Sequence, residues 1–153
     1  MRDFNDADKK KKMKRVQTQE NLNKLPTAQT ERLETRVKAS LKGGYLPCGI
    51  AFKIAAEENI PRIAVGEMAD KIGHRITDCQ IGCFKVDKTV FDDTNLKSNE
   101  AMISRLETLK EKDELTCTNV FELAKELKAT PMAVGNTASL RGWKVRNCQL
   151  GCF

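Results

Sequence analysis

One feature constrains the fold before any other: the chain contains itself twice. Residues 48–84 (CGIAFKIAAEENIPRIAVGEMADKIGHRITDCQIGCF) align without a gap on residues 117–153 (CTNVFELAKELKATPMAVGNTASLRGWKVRNCQLGCF), and 14 of the 37 aligned positions are identical at a constant offset of 69. Shared positions include Phe52/Phe121, Ala55/Ala124, two Ala-Val-Gly triplets and two CQ-G-CF endings. A period of 69 exceeds the roughly 20–50 residues of solenoid repeats, so two equivalent modules are expected, related by a pseudo-two-fold.

Each module reads as mainly α. The first helix spans residues 31–42 (Leu33, Val37 and Leu41 on one stripe) or 100–112 (Met102, Leu106 and Leu109), and Gly43-Gly44 is expected to cap the first copy. A second helix starts near Cys48 or Cys117. After a turn at Asn59-Ile60 or Lys128-Ala129, a third helix opens at Pro61 or Pro131 and ends at Gly73 or Gly142. Residues 75–84 and 144–153 alternate as terminal strands do, and the two are expected to pair with each other. The domain plan is therefore a tail over residues 1–30, a module over 31–84, a polar connector over 85–99 and a second module over 100–153.

The tail carries eight bases against four acids and contributes most of the net charge of +6. Its block of Lys9, Lys10, Lys11, Lys12, Lys14 and Arg15 has the density of arms that bind nucleic-acid phosphates, and also of a solvated solubility tail. No apolar run is long enough for a membrane span or a signal peptide. With six cysteines and no leader, a reducing cytoplasm is the expected location.

Two short helices around a tight turn, with Ala55 ten residues before Val65 and Ala124 ten before Val134, resemble the helix-turn-helix superfamily, here duplicated in tandem. The resemblance covers residues 52–73 and 121–142. It implies a transcriptional regulator that lays its second helix in the major groove of double-stranded DNA. Carried over by position, the readers are Arg62, Ile63, Gly66, Glu67, Asp70 and Lys71, then Met132, Asn136, Ser139 and Leu140, with Arg141 following. Arg62 has the geometry for guanine and Asn136 for adenine. The usual turn glycine is replaced by Asn59 and Lys128; the first recognition helix balances two bases with two acids, and the second has no charge before Arg141. Gly66 and Gly135 in mid-helix point rather to close helix packing. The alternative is a protein-interaction module, binding a protein partner or a second copy as a homodimer.

A third reading concerns the cysteines: Cys48, Cys79, Cys83, Cys117, Cys148 and Cys152 could hold a metal or an iron–sulfur cluster, or form a redox switch. Three thiols with His74 would suffice for zinc in the first copy, but Trp143 stands at the matching place in the second. If CQIGC is extended, its cysteines lie about 13 Å apart, and only a turn at Gln80-Ile81-Gly82 brings them together. Buried cysteines also serve as small apolar residues, His74 suits a helix end, and Trp143 suits a packing anchor. No nucleophile motif, P-loop or dinucleotide fingerprint occurs, so an enzyme is not expected.

Overall fold

The computed structural model describes residues 20–84, 86 and 99–153. The Lys9–Arg15 block and nearly all of the connector lie outside the described residues. The rest is mainly helical, with one short two-stranded sheet.

Its contacts divide the chain into two compact units, one ending at Asp78 but taking in Gln149–Phe153, the other spanning Cys79–Cys148. The boundaries therefore differ from those of the repeats. Each CQ-G-CF ending begins at or next to a boundary.

In the first unit, α1 (Glu20–Asn23) and α2 (Thr27–Ala39) precede β1 (Tyr45–Pro47), α3 (Cys48–Glu57), α4 (Arg62–Lys71) and β2 (Arg75–Thr77). Leu33 and Val37 of α2 are fully buried, as their four-residue spacing requires. Arg32 and Arg36 reach across to Glu58, each at 2.8 Å, fastening α2 to the end of α3. Part of the expected tail is thus folded. Leu22 is 3% exposed, and its backbone N–H donates to the Glu67 carboxylate of α4 at 2.7 Å.

Gly43-Gly44 does not cap α2, which already ends at Ala39. The two glycines have φ of +56° and +81°, and Lys42 and Tyr45 exchange backbone hydrogen bonds at 2.7 and 3.0 Å across them. This is a two-residue hairpin turn with both central residues left-handed, a conformation that glycine adopts without steric cost. It delivers the chain into β1. The strand β1 runs parallel to β2, with Leu46 opposite Ile76, so the terminal strands do not pair with each other.

In the second unit, α5 (Glu100–Glu111) is followed by α6 (Cys117–Glu126) and α7 (Pro131–Leu140). Side-chain caps start all three: Asn99 accepts from Met102 N–H, Thr116 from Asn119 N–H and Thr130 from Ala133 N–H. Where the first unit has its sheet, the described residues of this unit have a parallel bridge, Thr116 to Arg146. Its core gathers Met102, Leu106, Leu115, Val120, Leu123, Val134 and Ala138, all at most 5% exposed.

The turns between α3 and α4 and between α6 and α7 are alike. Asn59 and Lys128 both stand at φ +52°, and the next N–H groups (Ile60 and Ala129) bond back to Ala55 and Ala124 at 3.0 and 2.9 Å. These are helix C-terminal motifs with a left-handed residue where glycine is usual. The lysine adopts the strained conformation because the backbone bonds around it are satisfied.

Candidate functional site

The CQIGC segment is a turn and not a strand. Strand β2 stops at Thr77, Asp78 is left-handed at φ +50°, and Gly82 N–H donates to Cys79 C=O at 2.9 Å. Gly82 itself has φ +78°, which only glycine takes without strain. The turn folds Cys83 back on Cys79 until their side chains hydrogen-bond. Cys79 is 4% exposed, whereas Cys83 is exposed.

Their electrostatics diverge. The hydrogen bond from Cys83, helped by backbone N–H groups of Cys83, Ile81 and Phe84, lowers the Cys79 thiol to about 6 against the opposing effect of burial. Cys83 is raised by that same bond, by partial burial and by the charge of Cys79, Cys117 and Cys148. The two thiols titrate as a coupled pair, the hydrogen bond favouring ionisation of Cys79 and opposing that of Cys83.

The turn is seated on α7. A methyl group placed on Gly135 would stand 2.9 Å from the Ile81 carbonyl carbon and closer still to its oxygen. One placed on Gly82 would meet Met132 Sδ at 2.6 Å and Asn136 Oδ1 at 2.8 Å. Ile81 is 1% exposed. The first unit uses the same device: an added methyl on Gly66 of α4 would stand 2.8 Å from the Leu150 carbonyl carbon. The mid-helix glycines thus admit a close approach, as their propensity cost suggested, but the partner is the backbone of a CQ-G-C segment and not another helix.

The expected DNA readers are placed accordingly. Gly66 and Glu67 are buried, and so is Asn136 at 6% exposure, so Asn136 does not present its amide to a base edge in this conformation. Arg62 is exposed, but its guanidinium lies 3.9 Å above the Phe52 ring and bonds the Gln149 side chain. Phe52 and Phe121 are half-buried and not core residues. Lys71 and Arg141 are exposed, with Arg141 5.6 Å over the Trp143 ring.

The cysteines divide as the units do: Cys79, Cys83, Cys117 and Cys148 lie in the second, Cys48 and Cys152 in the first. Among the described residues no group of three or more His, Cys, Asp or Glu side chains is arranged to hold a metal ion. Of the zinc set considered for the first repeat, Cys48 and His74 fall in one unit and Cys79 and Cys83 in the other. His74 Nδ1 instead lies 2.9 Å from the Gly44 carbonyl oxygen. Among the described residues no helix is long and apolar enough to cross a membrane. No family model, curated protein or solved structure matches the chain.

Proposed function

We propose that the chain is a thiol-responsive DNA-binding regulator. Two helix-turn-helix-like units, equivalent as the duplicated sequence implies and pseudo-two-fold in plan, would supply the scaffold. The CQIGC turn would be its sensor. A single observation carries this reading: the segment holding the Cys79–Cys83 pair lies on Gly135, on the α7 face that the resemblance assigns to the DNA groove. Sulfur chemistry at the turn is therefore coupled to exposure of that face.

A peroxide would act in two steps. The Cys79 thiolate attacks one peroxide oxygen; an S–O bond forms, the O–O bond breaks, and the departing oxygen takes a proton to leave as water. The Cys83 thiol then attacks the sulfenic sulfur, an S–S bond forms, and the hydroxyl leaves with the thiol proton as a second water. The disulfide sulfur is no longer an anionic acceptor, so the charge-assisted N–H bonds that shape the turn weaken and Ile81 is released from α7.

The test uses the full chain and a pool of random duplex DNA, with affinity measured before and after one equivalent of hydrogen peroxide. Oxidation should remove 2 Da through a Cys79–Cys83 disulfide and raise affinity about tenfold, a change of about 1.4 kcal/mol. Cys79→Ser should abolish the response. A disulfide that forms without changing DNA affinity refutes the coupling. Absence of DNA binding in both states favours the interaction-module reading, which the burial of Gly66, Glu67 and Asn136 supports independently.

A further inference from the structure

The second unit contains a cleft of about 360 Å³, lined by Lys110, Asp113, Leu115, Gly142, Trp143, Lys144 and Arg146. That volume lies at the small end of the range for ligand pockets, roughly 300–1,000 Å³. Leu115 is 5% exposed and belongs to the core, while Trp143 is half-buried, so part of its surface stays accessible. Three cations and one acid line the cleft, and Arg141 adds a fourth cation 5.6 Å over the indole. The acid is engaged only at the surface: Asp113 Oδ1 lies 3.3 Å from Arg146 Nη1, with both side chains mostly exposed. Such a pair is worth little and exchanges readily.

The repeat separates what the scaffold requires from what was added. At the offset of 69, Leu115 and Gly142 match Leu46 and Gly73, so these are framework. Within the repeat, Trp143 and Arg146 match His74 and Thr77, whereas Lys144 matches Arg75 and is a cation in both copies. The other module folds without the tryptophan and the added arginine, so the scaffold does not require this pairing of ring and charge.

We propose that this cleft binds a nucleotide, its base stacked on Trp143 and its phosphate held by Lys110, Lys144 and Arg146. A flat π-surface beside several cations matches a phosphorylated base better than it matches either half alone. Stacking supplies affinity without base selectivity, and the cations supply charge. The same chemistry occurs in a free mononucleotide and in a single strand of nucleic acid. The site is independent of the thiol turn.

Trp143 is the chain's single tryptophan and reports directly. Its fluorescence in the full chain is titrated at low salt with adenosine monophosphate, adenosine, inorganic phosphate and an oligothymidylate. The monophosphate should quench saturably, with adenosine and phosphate each about tenfold weaker. Lys144→Glu should weaken binding about tenfold, and Asp113→Asn should tighten it about threefold by removing the competing carboxylate. An oligothymidylate tighter than the monophosphate assigns the site to a strand, and the reverse order to a free nucleotide. Saturation by phosphate as tight as by the monophosphate, no saturable quench below millimolar ligand, or indifference to Lys144→Glu overturns the proposal. Cys79→Ser should leave this binding intact, so its outcome is separable from that of the thiol proposal.

Discussion

Gly135→Ala tests the contact on which the proposed mechanism depends. In an unobstructed helix the change stabilises by about 1 kcal/mol, because alanine is the better helix former. Here the new methyl would meet one residue's backbone, 2.9 Å from the Ile81 carbonyl carbon and 3.1 Å from its Cβ. Backbone cannot rotate aside as a long side chain does. Two responses are open. Either the helix and turn move apart, at the 1–3 kcal/mol typical of overpacking, or the turn lifts away. Lifting exposes Ile81, whose burial contributes about 1.5–3 kcal/mol. A contact well inside 3 Å with backbone places the cost in the upper part of these ranges, about 2–3 kcal/mol, so that after the propensity gain the net is a destabilisation of about 1–2 kcal/mol. With a urea m-value near 2 kcal/mol/M, the unfolding midpoint should fall by about 0.5–1 M. Gly66→Ala should behave likewise against Leu150. An unchanged or raised midpoint would show that the turn does not press on α7.

Removing the acid that anchors α1 should also be costly. Glu67→Ala leaves the Leu22 N–H without its acceptor in a buried position and should cost about 1–3 kcal/mol in a denaturant titration. The thiol pair predicts a pH dependence with a maximum. Cys79 is lowered to about 6 and therefore adds stability as pH rises from there toward its unfolded value of 9.0, since the unfolded chain then holds more protons. Above 9.0 the raised Cys83 reverses the sign, because the folded pair keeps a proton that the unfolded thiols have lost. Stability followed by chemical denaturation from pH 5 to 10 should peak near pH 9, and Cys79→Ser should flatten the profile. The basic arm predicts a salt effect: deleting residues 1–19 should flatten the slope of log K against log salt for DNA by up to about five units while sequence preference survives. An unchanged slope would make the arm a solubility tail.

The helices were legible because their signals are local. Leu33 and Val37 mark α2, although it runs from Thr27 to Ala39 and stops short of Leu41, the third residue of the stripe, and Pro61 with Gly73 and Pro131 with Gly142 bracket α4 and α7. The spacing of Ala55 to Val65 and of Ala124 to Val134 also marks buried residues, each at most 3% exposed. What failed to show was anything decided by a contact distant in sequence. Leu22 looked like tail because its partner, Glu67, lies 45 residues away. Gly43-Gly44 suits a helix cap as well as a hairpin turn, and only the pairing of Lys42 with Tyr45 decides between them. Arg75 to Phe84 alternates as a strand would, yet Asp78 and Gly82 take left-handed φ and end the strand after three residues. The clue to the thiol site was present: glycine before the second cysteine permits the turn that joins the pair. The aromatic-cationic cleft left a weaker trace, visible only as the positions where the two repeats disagree.

The two mid-helix glycines give the duplication its physical sense. An amphipathic helix keeps one polar face for solvent, but α4 buries Ala64 through Ala69 without a break, and α7 buries Val134 through Ala138. A helix covered over that much of its circumference needs a partner beyond its neighbouring helices, and in both units the central residues of a CQ-G-C segment meet its glycine. The approach is backbone to backbone, which only glycine allows, so the segment sits closer than side-chain packing would bring it. A close contact of this kind is sensitive to small displacements, because interiors deform little before they repack. Cysteines at the two ends of the segment stand where such a displacement begins. Changing one sulfur from an anionic hydrogen-bond acceptor to a covalent partner alters the turn whose carbonyl rests on the helix. In the proposed mechanism the sulfur chemistry and the covered face are joined through one residue, Ile81.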